Sequence, residues 1–249
     1  MNLNDFVKAH SASQYLGASA STQATGGLSL VAQAGLKKAD QRIQAQVDKT
    51  TAQLSTFGKL QSAVSGTQIA ARGLGILGST STAAAQKSAA SDFTSAFNTA
   101  LASAKTAAAQ PGDTATGQSA NRTSNNLLRA VSADSGTVDA LKKVGFSLNA
   151  SGSLVLDTKL LDAAQKADPA AVRTTLNTLG QQVFNAATQE LAGNGNVGLS
   201  LSTLNQRSGI LKSQQATLNA LGQGASPTQS NTGFGSWTNW GVSAYQQSR

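Results

Sequence analysis

Apolar residues recur at spacings of three, four and seven through residues 28–74, where Leu36, Ile43, Val47, Leu54, Phe57, Leu60 and Val64 share one helical face. Gln, Lys, Asp and Thr fill the positions between them, so the spacing predicts one long amphipathic helix, ended by Gly73, Gly75 and Gly78. Such a helix outruns a typical globular one and points to a coiled-coil-like or bundle partner elsewhere in the chain. Residues 79–90 read as a Ser/Thr/Ala-rich connector. A second helix is predicted over 92–109, with Phe93, Phe97 and Leu101 spaced by four on one face. It stops before Pro111-Gly112, and residues 110–123 read as a polar loop.

Residues 124–145 carry a further helical region, first Leu127, Leu128 and Val131, then Val138, Leu141 and Val144. Gly145 falls where a helix end wants a left-handed residue. Phe146 and Leu148 then alternate with polar residues, as do Leu154 and Leu156 beyond a break at Asn149-Ala150-Ser151-Gly152, the pattern of a short β-hairpin. Asp157 stands at a helix N-cap, ahead of Leu160, Leu161 and Ala164. Asp168-Pro169 begins another helix, with proline at its first position. That helix runs to about residue 192 on Val172, Leu176, Leu179, Val183, Phe184, Ala187 and Leu191. After Gly193-Asn194-Gly195-Asn196, a last helix over 199–221 sets Leu204, Leu211 and Leu218 seven residues apart, natural partners for the first stripe.

The pattern divides the chain into a polar lead (1–27), a long helix (28–78), a connector and helix (79–123), a helix–hairpin–helix core (124–222) and a Gly/Ser/aromatic tail (223–249). The fold class it predicts is mainly α: an elongated helical bundle or coiled coil of long N- and C-terminal helices with a small β-hairpin module. The termini are expected to be disordered when free or ordered by a partner. The candidate self-association residues are Leu36, Ile43, Val47, Leu54, Phe57, Leu204, Leu211 and Leu218 on the helices. Phe234, Trp237, Trp240 and Tyr245 in the tail join them, because Trp and Tyr are common interface anchors.

Composition supports packed helices over an enzyme body. Of 249 residues, 4% are aromatic and 12% charged, so a core of Leu, Val and Ala buries modest area per residue. The absence of cysteine excludes disulfides, thiolate metal sites and cysteine catalysis. His10 is the single histidine and stands in the polar lead, so no histidine metal cluster and no Ser-His-Asp triad is expected. Asp157 and Asp168 stand at caps and Asp162 on an ordinary helix surface, so no acid–base or ligand set converges. No enzyme activity, cofactor or metal is expected.

The net charge of +8 invites a nucleic-acid reading, yet the nineteen Lys and Arg are scattered, with Lys37-Lys38 and Lys142-Lys143 the only adjacent pairs. Nucleic-acid binders concentrate base or interleave it with stacking aromatics, so no specific nucleic acid is expected. No apolar run is long enough to cross a bilayer. The first residues lack a basic segment followed by an apolar one, so no Sec-type signal peptide is expected.

The stretch from Leu141 to Val172 carries a resemblance. Val144-Gly145-Phe146, Ser151-Gly152-Ser153-Leu154-Val155-Leu156-Asp157, Lys159-Leu160, Asp162-Ala163-Ala164, Asp168-Pro169 and Val172 follow one another as in a signature of the flagellar filament cap family, hook-associated protein 2. Residues 36–74 resemble that family's N-terminal coiled-coil segment, residues 92–131 its next helix and the Leu127-Leu128-Arg129 segment, and residues 199–218 a later helix. About two-thirds of the chain takes part, and the hairpin string is the most specific portion.

Two departures shape the expectation. Family members insert large β-rich domains after the first long helix, where this chain has only the connector near 79–90. They also end in a long charged coiled coil, where this chain has its aromatic tail. The resemblance therefore implies the helical core of a cap protein without outer domains or terminal helix. It implies a structural, non-enzymatic, secreted extracellular protein of a bacterial flagellum or surface filament, partnered by itself and by flagellin or hook-associated proteins. The alternative is a subunit that polymerises into its own flagellin-like filament, and an enzyme is the remote third reading.

Overall fold

The computed structural model describes residues 30–111 and 114–223. These form, in order, α1 (Leu30–Gly75), α2 (Ala83–Ala108), α3 (Thr114–Val131), α4 (Ser135–Lys143), β1 (Phe146–Leu148), β2 (Leu154–Leu156), α5 (Thr158–Ala167), α6 (Pro169–Leu191) and α7 (Asn196–Gly222). The fold is mainly α, with one two-stranded antiparallel sheet. Residues 40–217 make one compact unit, and every contact below lies within it. Of the other unit, residues 1–39 with 218–249, the described stretches 30–39 and 218–222 are helical.

The buried face of α1 runs Thr50, Gln53, Phe57, Leu60, Val64, Thr67, Ala71 and Leu74, alternating steps of three and four. Three of these eight are polar, and two of them bond to neighbouring helices. Gln53 Nε2 donates to Thr116 Oγ1 at 3.3 Å, and Thr67 Oγ1 donates to Ala96 O at 3.0 Å. These bonds set α3 and α2 against α1. Along the same helix Gly75 faces Gln181, Gln68 Nε2 donates to Thr188 Oγ1 at 2.8 Å, and Gln215 Nε2 donates to Gln44 Oε1 at 2.6 Å. The order of these pairs shows that α6, and then α7, runs antiparallel to α1.

Helices α1 and α6 meet at glycine. A Cβ on Gly180 would lie 2.5 Å from both Ala71 O and Gly75 N, so only hydrogen lets the two backbones approach this closely. The turn from α6 to α7 is equally tight, since a Cβ on Gly195 would collide with Gln189 O and one on Gly198 with Ala192 O.

Two stretches differ from the sequence expectation. Helix α2 starts at Ala83, nine residues before the predicted Asp92. Thr82 caps it by accepting from Ala85 N, and alanine has the highest helix propensity of any residue. Residues 114–123, expected as loop, are the first half of α3. Its buried face begins with Thr116, Ala120, Thr123 and Ser124. A period search keyed to large apolar residues passes over such a face.

The hairpin sits on α2. Phe146 is buried, and its ring meets Phe93 edge-on at 6.4 Å between centroids, while Phe93 lies 5.8 Å from Phe97. Burying such a side chain contributes about 1.5–3 kcal/mol. Gly145, at φ 90°, lets the chain leave α4 and enter β1, and a Cβ there would lie 2.5 Å from Asp157 O. The expected caps are present: Asp157 accepts from Lys159 N and Leu160 N, and Asp168 accepts from Ala170 N and Ala171 N ahead of Pro169.

Candidate functional site

Several aspartates of the described residues hold the fold together. Asp162 lies on α5 and forms an ion pair with Lys87 of α2 at 2.8 Å. Asp134 caps α4 by accepting from Thr137 N at 2.7 Å, and that backbone bond holds its carboxyl below the usual carboxylate range. Asp157 and Asp168 are caps, as above. Among the described residues, no three His, Cys, Asp or Glu side chains gather where a metal ion could be held. His10 lies outside the described residues.

One carboxylate escaped the sequence reading. Glu190, the sole glutamate of the chain, is 3% exposed on the buried face of α6. Thr123 Oγ1 and Asn126 Nδ2 of α3 donate to it at 2.6 Å each, and Asn196 Nδ2, at the start of α7, donates at 3.0 and 3.1 Å. Neutral donors from two helices thus surround one carboxylate on a third, with every bond charge-assisted. The arrangement locks the α6–α7 turn onto α3. The signal in the sequence is a lone glutamate in step with Val183 and Ala187.

The expected self-association residues fall into three groups. Phe57, Leu204 and Leu211 are buried in the chain's own core, which leaves them no surface for a second copy. Leu36, Ile43, Val47, Leu54 and Leu218 are half-buried on α1 and α7. Phe234, Trp237, Trp240 and Tyr245 lie outside the described residues. Instead, the large apolar residues exposed on the 40–217 unit are Ile69, Ile76, Leu148, Val155, Leu160, Leu199 and Ile210.

Leu148 and Val155 lie in the hairpin and Leu160 on the helix that follows it. Phe146 pairs with Leu156, Ser147 with Val155 and Leu148 with Leu154. Hydrogen bonds from Asn149 N to Ser153 O and from Asp157 N to Gly145 O fix the phase of the ladder. Ser147 and Val155 therefore face each other's backbone, while Phe146, Leu148, Leu154 and Leu156 turn their amides and carbonyls outward. On the β2 side, Asn98 of α2 fills the edge: its Nδ2 donates to Leu154 O and its Oδ1 accepts from Leu154 N, each at 2.8 Å. On the β1 side, Phe146 is 1% exposed and only Leu148 reaches solvent with its outward groups. Beside that edge lies an apolar pocket of about 120 Å³, walled by Val131, Val138, Leu141 and Phe146 and rimmed by Lys142 and Leu148.

No protein-family model, curated protein or solved structure matches this chain.

Proposed function

We propose that this is a structural, non-enzymatic protein, resembling the helical core of a flagellar filament cap, that assembles with copies of itself at an extracellular filament or its tip. The observation that carries the reading is the hairpin module between long helices. The same residues that carry the resemblance, Gly145 through Val172, make the helix stop, the hairpin and the two capped helices. An antiparallel coiled coil is the best description of the α1–α7 pairing. Its support is the three-four seam of α1, the spacing of Val197, Leu204 and Leu211 by seven, and the Gln44–Gln215 bond. The resemblance further suggests secretion to a bacterial flagellum or surface filament, with flagellin or hook-associated proteins as added partners.

A second reading, a subunit of a self-polymerising flagellin-like filament, is favoured by one feature. Only residues 76–82 separate α1 from α2, so the place where cap proteins carry their outer domains is a short turn. Electron microscopy of the purified chain separates the two. Long polymers, lost on deleting residues 224–249 or 1–27, favour the filament subunit, and closed rings that do not extend at high concentration favour the cap. Persistent monomers reject both.

A further inference from the structure

We propose that Asn194 is a self-modifying residue, losing its side-chain amide through a cyclic imide with Gly195, and that the bonds from Asn196 to Glu190 across the same turn hold this reaction shut. Asn194-Gly195 is the only Asn-Gly pair of the chain. It sits in the turn between α6 and α7, with Asn194 exposed. Asparagine followed by glycine suits this chemistry because no Cβ shields the attacking amide nitrogen and the backbone rotates freely. The turn cannot exchange that glycine, since a Cβ on Gly195 would collide with Gln189 O. Packing therefore keeps the reactive pair in place at the surface.

The step balances with water alone. Gly195 N gives its proton to solvent and attacks Asn194 Cγ, the Cγ–Nδ2 bond breaks, and Nδ2 leaves as ammonia. Water then opens the imide. Attack at Cγ yields aspartate, and attack at the main-chain carbonyl yields isoaspartate, whose backbone runs through an added methylene. In sum a neutral amide and water become a carboxylate and ammonium, so either product carries a new negative charge in the turn.

The folded turn opposes ring closure in two ways. Gly195 N donates to Ala192 O at 2.8 Å. In the imide that nitrogen carries Cγ in place of hydrogen, which would drive a carbon into the same carbonyl, so the turn must open first. Around it, Asn196 Nδ2 donates to both oxygens of Glu190, at 3.1 and 3.0 Å, and clasps the two ends of the stretch 190–196. Thr123 and Asn126 fix Glu190 to α3, and Leu199 N holds Gly195 O at 2.9 Å as α7 begins. Opening the turn means releasing charge-assisted bonds. It is a local event, and its free energy sets the fraction of time in which Asn194 can react.

The test counts aspartate plus isoaspartate at position 194 by peptide mass mapping while the full chain ages at mildly alkaline pH. The folded wild type should convert about tenfold or more slowly than the same chain unfolded in guanidinium chloride. Asn196→Ala removes the clasp and should speed conversion of the folded chain about threefold or more, with helical circular dichroism retained. Glu190→Gln removes the charge and carries the test if the alanine variant is unfolded. Asn98→Leu weakens the fold at the hairpin instead and should leave the rate near that of wild type. Equal rates in folded and unfolded wild type would overturn the protection, and no conversion in the unfolded chain would overturn the chemistry. Folded clasp variants that convert at the wild-type rate, or an Asn98→Leu chain that converts as fast as they do, would show that the clasp is not the gate.

Discussion

Asn98 holds Leu154 by both of its backbone groups, donating to the carbonyl and accepting from the amide at 2.8 Å each. A side-chain amide thereby does the work of a third strand. Leaving buried backbone groups of Leu154 unpaired costs about 1–3 kcal/mol. Asn98→Leu, which keeps the volume but removes both bonds, should lower stability by that amount in denaturant titration. An unchanged midpoint would mean water replaces the amide without loss.

Glu190 should be the most sensitive polar residue of the core. Glu190→Ala strands Thr123, Asn126 and Asn196 without their shared acceptor, and bonds to a charged group contribute about 1.5–3 kcal/mol each. A loss of about 3 kcal/mol or more is expected by thermal unfolding. Asn196→Ala removes one donor and should cost less, so equal losses would contradict the shared-acceptor description.

Glycines of α1 and α6 should respond with opposite signs. Gly180→Ala puts a methyl group 2.5 Å from the α1 backbone and should destabilise by about 1–3 kcal/mol. Gly58→Ala meets nothing within 4 Å in mid-helix and should stabilise by about 0.5–1 kcal/mol. Gly145→Val combines positive φ with a clash on Asp157 O and should cost more than about 1 kcal/mol. Melting temperatures of the three variants, measured together, test the crossing and the hairpin entry.

Asp134 supplies a pH dependence of known sign. Its carboxyl is held below its ordinary value of 3.8 by the Thr137 amide, so its contribution is present above that pH and fades as acid protonates the cap. The difference in melting temperature between wild type and Asp134→Ala should therefore be constant near neutrality and shrink below about pH 4. A difference that persists undiminished at lower pH would remove the ionised cap from the account.

The legible parts of this fold are those governed by local rules. Gly145, the hairpin and the caps at Asp157 and Asp168 are decided within a few residues, and each stands where its chemistry requires. The illegible parts are decided by partners distant in sequence. Thr116 and Thr123 look like loop residues until Gln53 and Glu190 supply their bonds. Phe57, Leu204 and Leu211 show an apolar stripe, but periodicity alone does not say whether its partner is the same chain or another, and here it is the same chain. Asn98 gives no local sign that it blocks a strand edge.

The account turns on self-assembly, and sedimentation velocity of the purified full chain over a wide concentration range tests it most directly. An assembling subunit gains mass by mass action as concentration rises, and the prediction is growth beyond the 25.1 kDa monomer into extended polymers or a discrete ring. A single monomeric boundary at every concentration would contradict it.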